Sequence, residues 1–136
     1  MFSVRQIAVD GFDDNFSYLL IDEGTKRAGL VDPCGAIDRV FSILSKESFI
    51  LEAVLITHSH FDHLDKLDEV LKRYPVTVYI HREARGHVAI PNDFAHYTDH
   101  KSTVRIGKGD VEVLHTPGHI ADAVCYFISS EQAVDS

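Results

Sequence analysis

Residues 52–66 read EAVLITHSHFDHLDK, and the last ten of them, THSHFDHLDK, hold three histidines and two aspartates. Before them stands the apolar run AVLIT, 53–57. A continuous apolar run suits a strand covered on both faces, as parallel strands flanked by helices are. With the strand ending at Thr57, His58 and His60 lie two apart in extended chain and point the same way, because strand periodicity is two. Two imidazoles converging at the C-terminal edge of a strand make half a metal site. A catalytic zinc needs a third protein ligand and a water. Asp62 and His63 come as the chain turns toward a helix, where they can serve a second ion or orient the water of the first. The competing account is a surface helix start capped by Asp62; His-x-His-x-Asp-His directly after a buried strand weighs heavily against it.

The expected third ligand is His119. Pro117 and Gly118 suit the two central positions of a type II turn. Such a turn after the strand VEVLH, 111–115, would hold His119 at a sheet edge. Both ligand groups then come after strands, where α/β proteins usually place their sites.

The rest of the chain frames this site. VRQIAV, NFSYLLID and AGLVD read as strands, the last two joined as a hairpin through EGTKR. Ile37, Val40, Phe41 and Leu44 recur at helical spacing and predict one amphipathic face. A second helix is expected to start near Leu64, with Leu67, Val70 and Leu71 on its buried side and Pro75 after its end. VTVYI, 76–80, reads as a strand with a short helix after His81. Residues 87–102 lack periodicity and read as a long loop. TVRI and VEVLH flank the turn GKGD, and AVCYFI is the last apolar strand. Strands and helices in this order predict an α/β layered fold.

With 136 residues the chain suits one domain, 1–136. Its 45% hydrophobic content is that of a globular protein. A net charge of −8 argues against a nucleic-acid partner, since phosphate binding needs a basic surface. No stretch approaches a membrane span, and the first residues do not have the form of a signal peptide. Two cysteines make no disulfide framework, so a cytoplasmic, reducing setting is expected.

THSHFDH together with HTPGH resembles the metallo-β-lactamase superfamily. DDNFSYLLIDE and AGLVDP are similar to the opening strands of its glyoxalase II-like branch. The resemblance runs from about Phe2 to Ile128. It implies an αββα sandwich with the metals at one edge, between the sheets. It also implies that His58, His60 and His119 hold a first ion, and that Asp62 and His63 hold a second. Asp32 would buttress the metal loop. Zinc is the implied cofactor, one or two ions, with iron and manganese compatible with the same ligand types. The implied activity is hydrolysis of a thioester, such as a hydroxyacylglutathione, with Asp62 orienting the attacking water. An iron-dependent persulfide dioxygenase-like activity opens with the same motif. Relatives go on to a bridging aspartate and a last histidine. Here the end is SSEQAVDS, with Asp135 roughly where the bridging residue is expected. The chain therefore reads as an N-terminal part or a shortened form, lacking the C-terminal strands and helices. A third account is then a metal-binding but inactive domain, whose exposed strand edges would favour a homo-oligomer.

The remaining candidates weigh toward structure. His81, His87, His96, His100 and His115 read as structural or surface residues. Cys125 reads as core, and Cys34 lies close enough to Asp32 to approach the metal edge.

Overall fold

The computed structural model describes residues 2–9, 16–59, 64–86, 90–117, 122–128 and 133–135. Three strands open the chain, β1 (Phe2–Ala8), β2 (Phe16–Asp22) and β3 (Arg27–Val31), as an antiparallel meander. From β3 the pairing changes to parallel: β4 (Ile50–Leu55), β5 (Thr77–His81) and β6 (Ala95–Thr98) come next in order. Parallel neighbours need crossovers. The first two are α1 (Asp38–Lys46) and α2 (Leu67–Arg73); the third contains a short 3-10 turn, Arg82–Ala84. A second sheet holds β7 (Thr103–Ile106), β8 (Gly109–His115) and β9 (Val124–Phe127), all antiparallel. β10 (Ala133–Asp135) returns to the first sheet and pairs parallel with β1, so that sheet runs β10-β1-β2-β3-β4-β5-β6.

The helix faces are those that the spacing predicts. Val40, Phe41 and Leu44 of α1 and Leu67, Val70 and Leu71 of α2 are buried. They pack on Leu19, Ile21, Leu30, Val54 and Ile80 of the large sheet, and on Ile56 just beyond β4. The opposite face of that sheet, through Phe2, Leu20, Val31, Ala53 and Leu55, meets Val104, Ile106, Val111, Val113 and Val124 of the small one. The strands alternate between the two cores because side chains alternate across a sheet. Each large aliphatic side chain so buried contributes roughly 1.5–3 kcal/mol. The described residues thus build three layers, α–β–β, of the expected αββα sandwich. Among them no helix is long and apolar enough to cross a membrane.

Two expectations need correction. The stretch 87–102 is not all loop, because Ala95–Thr98 forms β6. This four-residue edge strand draws its order from the backbone of β5, so its own sequence needs little apolar periodicity. Cys125 is exposed, not core. Val124 takes the inward position on β9, and the alternation turns Cys125 outward.

The two sheets are also joined at the hairpin end, away from the C-terminal ends of β3 and β4. Asp22, buried at the end of β2, accepts from Lys108 N–H (2.7 Å), Thr25 Oγ1 (2.9 Å) and Gly24 N–H (3.2 Å). Glu52 Oε1 accepts from Gly107 N–H at 2.8 Å. Gly107 has φ +59°, and a Cβ there would collide with Asp22 and Thr25. Burial works to raise the Asp22 pKa, but the three donors outweigh it and hold the carboxyl below its ordinary value.

This docking has measurable consequences. Gly107→Ala should lower unfolding stability by about 2 kcal/mol or more, read by denaturant titration. The Asp22 contribution should be complete above about pH 3.9 and decline as pH falls through its lower folded pKa. Asp22→Asn should flatten that part of the stability–pH curve.

Candidate metal centre

The strand before the histidines ends close to where the sequence predicts, and the chain beyond it stays extended while leaving the ladder. β4 stops at Leu55, and one ladder-type bond continues past it on the β5 side, Ile56 N–H to Tyr79 O at 2.9 Å. From Ile56 to Ser59 the backbone is otherwise held by groups from two other strands. On the large-sheet side stands Asp32, immediately after β3. Its Oδ1 accepts from Thr57 N–H (2.8 Å) and its Oδ2 from Thr57 Oγ1 (2.6 Å). Asp32 is buried, with φ +56°, a left-handed conformation that aspartate tolerates better than most residues. Ser17 Oγ and Leu55 O hold its own carbonyl and N–H.

On the small-sheet side, β9 and its lead-in reach the same segment. Tyr126 Oη donates to Ile56 O at 2.5 Å, and Val124 N–H donates to Thr57 O at 2.8 Å. Asp122, buried, accepts from Ser59 N–H at 2.8 Å and Ser59 Oγ at 2.6 Å. Burial, and after it the Asp32 carboxylate, push the Tyr126 phenol far above the usual tyrosine range, so it stays a neutral donor.

His58 is half-buried between these grips. Its Nδ1 lies 2.9 Å from Thr57 Oγ1. The Thr57 hydroxyl gives its single proton to Asp32, so its oxygen accepts from His58 Nδ1–H. That tautomer puts the ring's lone pair on Nε2. This is the arrangement of a metal-binding histidine, whose other nitrogen is fixed by a hydrogen bond to a buttressed partner. The chemistry of His58 therefore fits a zinc ligand, and the buttress expected of Asp32 acts through Thr57.

Of the other expected ligands, His60, Asp62, His63 and His119 lie outside the described residues, as does His87. Among the described residues no three histidine, cysteine or acidic side chains converge to hold an ion. The chain on either side of His119 is placed, however. Thr116 N–H donates to Ala123 O at 2.9 Å, which brings the flanks of that segment together. Asp122, in that segment, is bonded to Ser59, between His58 and His60. Described residues beside the two motifs, Ser59 and Asp122, are therefore in contact across 63 positions of sequence. Asp135 lies on β10, which pairs with β1. β10 stands four strand positions from β4 in the sheet, roughly 19 Å at the usual strand spacing.

Elsewhere at this edge, His81 is buried and stacks on His115, with ring centroids 3.7 Å apart. Burial first and His115 second push its pKa below the usual imidazole value. His81 Nδ1 accepts from Glu83 N–H, and His100 Nδ1 accepts from His115 N–H. His96 is exposed on β6, beside Tyr79. Cys34 is buried, 3.9 Å from Ser17 Oγ. Sequence reasoning missed Ser59, Asp122 and Tyr126 altogether.

The Thr57 relay gives a direct test. Thr57→Val keeps the side-chain shape but removes the oxygen between Asp32 and His58. Zinc affinity should fall about 10-fold or more, and Thr57→Ser should restore it. Competition with a chromophoric chelator reads both.

Residues 10–134 match the family model described as Metallo-beta-lactamase superfamily. A Schizosaccharomyces pombe protein described as a probable hydroxyacylglutathione hydrolase is 37% identical over 131 residues, covering 91% of this chain and 48% of that protein. PksB of Bacillus subtilis, described as a probable polyketide biosynthesis zinc-dependent hydrolase, is 30% identical over 115 residues, covering 85% of this chain and 51% of PksB. The crystal structure of BLEG-1 B3 metallo-beta-lactamase superimposes with a TM-score of 0.81 at 27% identity, over 94% of this chain and 68% of that one. The chain spans about half the length of the curated relatives it matches. A family match over nearly the whole sequence, and a histidine motif leaving a buried parallel strand, have one conclusion: this chain belongs to the metallo-beta-lactamase superfamily.

Proposed function

We propose that this chain carries the metal-holding half of a hydrolase that cleaves a thioester of the hydroxyacylglutathione type. His58, His60 and His119 hold the first ion, which is zinc, and Asp62 and His63 contribute to a second. When bound, the metal supplies a Lewis acid for the scissile carbonyl and makes water a nucleophile near neutral pH. Asp62 orients the attacking water and takes its proton. Asp32 and Thr57 keep His58 in the tautomer that offers Nε2.

The observation that carries this reading is the Asp32–Thr57–His58 relay, 2.6 Å and 2.9 Å long in its two steps. A histidine that merely decorates a surface has no need of a buried carboxylate behind it. The choice of a thioester rests on the relatives described as probable hydroxyacylglutathione hydrolases, 33–37% identical to this chain. The description of PksB as zinc-dependent supports the choice of ion.

The test pairs metal content with turnover. The purified chain should bind zinc and release thiol from a hydroxyacylglutathione. His58→Ala should lower zinc affinity by more than about 100-fold, since loss of an outer partner alone costs 10–100-fold. Turnover should be lost with it. His96→Ala, exposed on β6, should change neither. Zinc bound without thioester cleavage would remove the substrate assignment. A chain that takes up no zinc would remove the metal reading itself.

A further inference from the structure

We infer that Asp122 is a positioning residue for the metal centre, locking the His119-bearing segment to the His58–His60 segment through Ser59. This rests on the metal reading above and adds to it a part that the ligand motif does not contain.

The alternation in THSH, 57–60, is the starting point. In extended chain, successive side chains face opposite ways. His58 therefore takes one side, and Thr57 and Ser59 the other. Both residues on that other side carry a hydroxyl, and each is gripped by a buried carboxylate in the same manner. Asp32 takes Thr57 N–H and Oγ1 at 2.8 Å and 2.6 Å; Asp122 takes Ser59 N–H and Oγ at 2.8 Å and 2.6 Å. One carboxylate comes after β3 of the large sheet, and the other precedes β9 of the small sheet. The histidine segment is thus pinned from both sheets.

The two grips do different work. Asp32 belongs to the sheet that delivers the histidine pair. Asp122 belongs to the connection that delivers His119, three residues before it in the chain. Its bonds to Ser59 are direct links between the described residues next to the two proposed ligand groups, beside the backbone bond from Val124 to Thr57. Asp122 is 3% exposed, so losing it would leave the Ser59 N–H with little water to replace the bond. The contact between the two segments is consequently held by a carboxylate that is not among the proposed ligands.

The experiment measures zinc affinity and the visible spectrum of the cobalt-substituted chain, with thermal unfolding of the metal-free form beside them. Asp122→Ala should weaken zinc about 10–100-fold and alter the cobalt bands. Ser59→Ala, losing one of the two bonds, should weaken it about fivefold to tenfold. Asp122→Asn can still accept from Ser59 N–H through Oδ1 and donate to Ser59 Oγ, so it should stay within about threefold of wild type. Asp22→Ala removes a buried, three-donor carboxylate at the hairpin end; it should lower the unfolding temperature but leave zinc affinity within about twofold. If Asp122→Ala fails to fold, Ser59→Ala tests the inference by its own loss of about fivefold to tenfold.

The inference is overturned if Asp122→Ala and Ser59→Ala bind zinc as wild type does, with unchanged cobalt bands. It is equally overturned if Asp22→Ala weakens zinc as much, since the loss is then general loosening. An Asn variant as weak as the Ala variant would also overturn it, because charge, not hydrogen-bonded position, is then what Asp122 supplies. A wild-type chain without zinc affinity would fell the metal reading together with this one. Normal wild-type binding with indifferent Asp122 and Ser59 variants fells this one alone.

Discussion

Everything at the metal edge depends on how four residues, Ile56 to Ser59, satisfy their backbone after leaving the sheet ladder. A buried N–H or C=O without a partner costs about 1–3 kcal/mol, so such a segment needs replacements. The structure supplies them one by one. Ile56 N–H goes to Tyr79 and Ile56 O takes the Tyr126 hydroxyl. Thr57 N–H goes to Asp32, and Thr57 O takes the N–H of Val124. Ser59 N–H goes to Asp122. A segment held in this way is extended without being a strand, and it can aim its side chains away from the ladder. Secondary structure brings His58 to the edge; side-chain and cross-sheet bonds aim it.

This arrangement explains why the segment bearing His58 needs two sheets. The large sheet alone could present His58 at the end of β4, but it would leave Ile56 O, Thr57 O and Ser59 N–H without the partners they have here. Those partners come from β9 and its lead-in. They recur at Asp122, Val124 and Tyr126, every second residue, and fall on Ser59, Thr57 and Ile56 in reverse order. Every second residue on one side thus meets three of the four residues Ile56 to Ser59 on the other. That match requires the sheets to sit at one fixed separation. Gly29 on β3 helps set it: a Cβ there would lie 2.8 Å from Ile106 Cδ1 and 2.9 Å from Leu55 Cδ1. The small residue lets the sheets approach. The hairpin docking at Asp22 and Glu52 then closes the opposite end.

How much of this the sequence discloses depends on the range of the signal. The faces of α1 and α2 and the buried β4 are local and periodic, so their residues are legible from spacing alone. So is the placing of His58 just beyond a strand. β6 is not legible, because its pairing is supplied by β5 and AHYT carries little pattern of its own. Cys125 misleads because an apolar run does not say which residue faces in; that is set by the register of β9 on β8, Leu114 against Cys125. The Ser59–Asp122 contact spans 63 positions, and serine and aspartate have no apolar signature. The one trace it leaves is the hydroxyl at every second place in THSH.

The same hydrogen-bond chemistry sorts the histidines without counting how many there are. An imidazole offers Nε2 to an ion only when its proton sits on Nδ1. In His58 the acceptor beside Nδ1 is a hydroxyl oxygen already committed to Asp32, so the proton is held there. His81 and His100 show the reverse. Each uses the Nδ1 lone pair to accept a backbone N–H, from Glu83 and His115, which places the proton on Nε2. Stacking and burial reinforce this for His81, whose pKa is lowered toward the neutral ring. For either of them, metal binding through Nε2 would first require breaking a backbone hydrogen bond and moving a proton. His81 stands at the same edge and is more buried than His58, yet its surroundings make it a packing element between the sheets. The partner of the second ring nitrogen, rather than proximity to the site, separates the candidate ligand from the structural histidine.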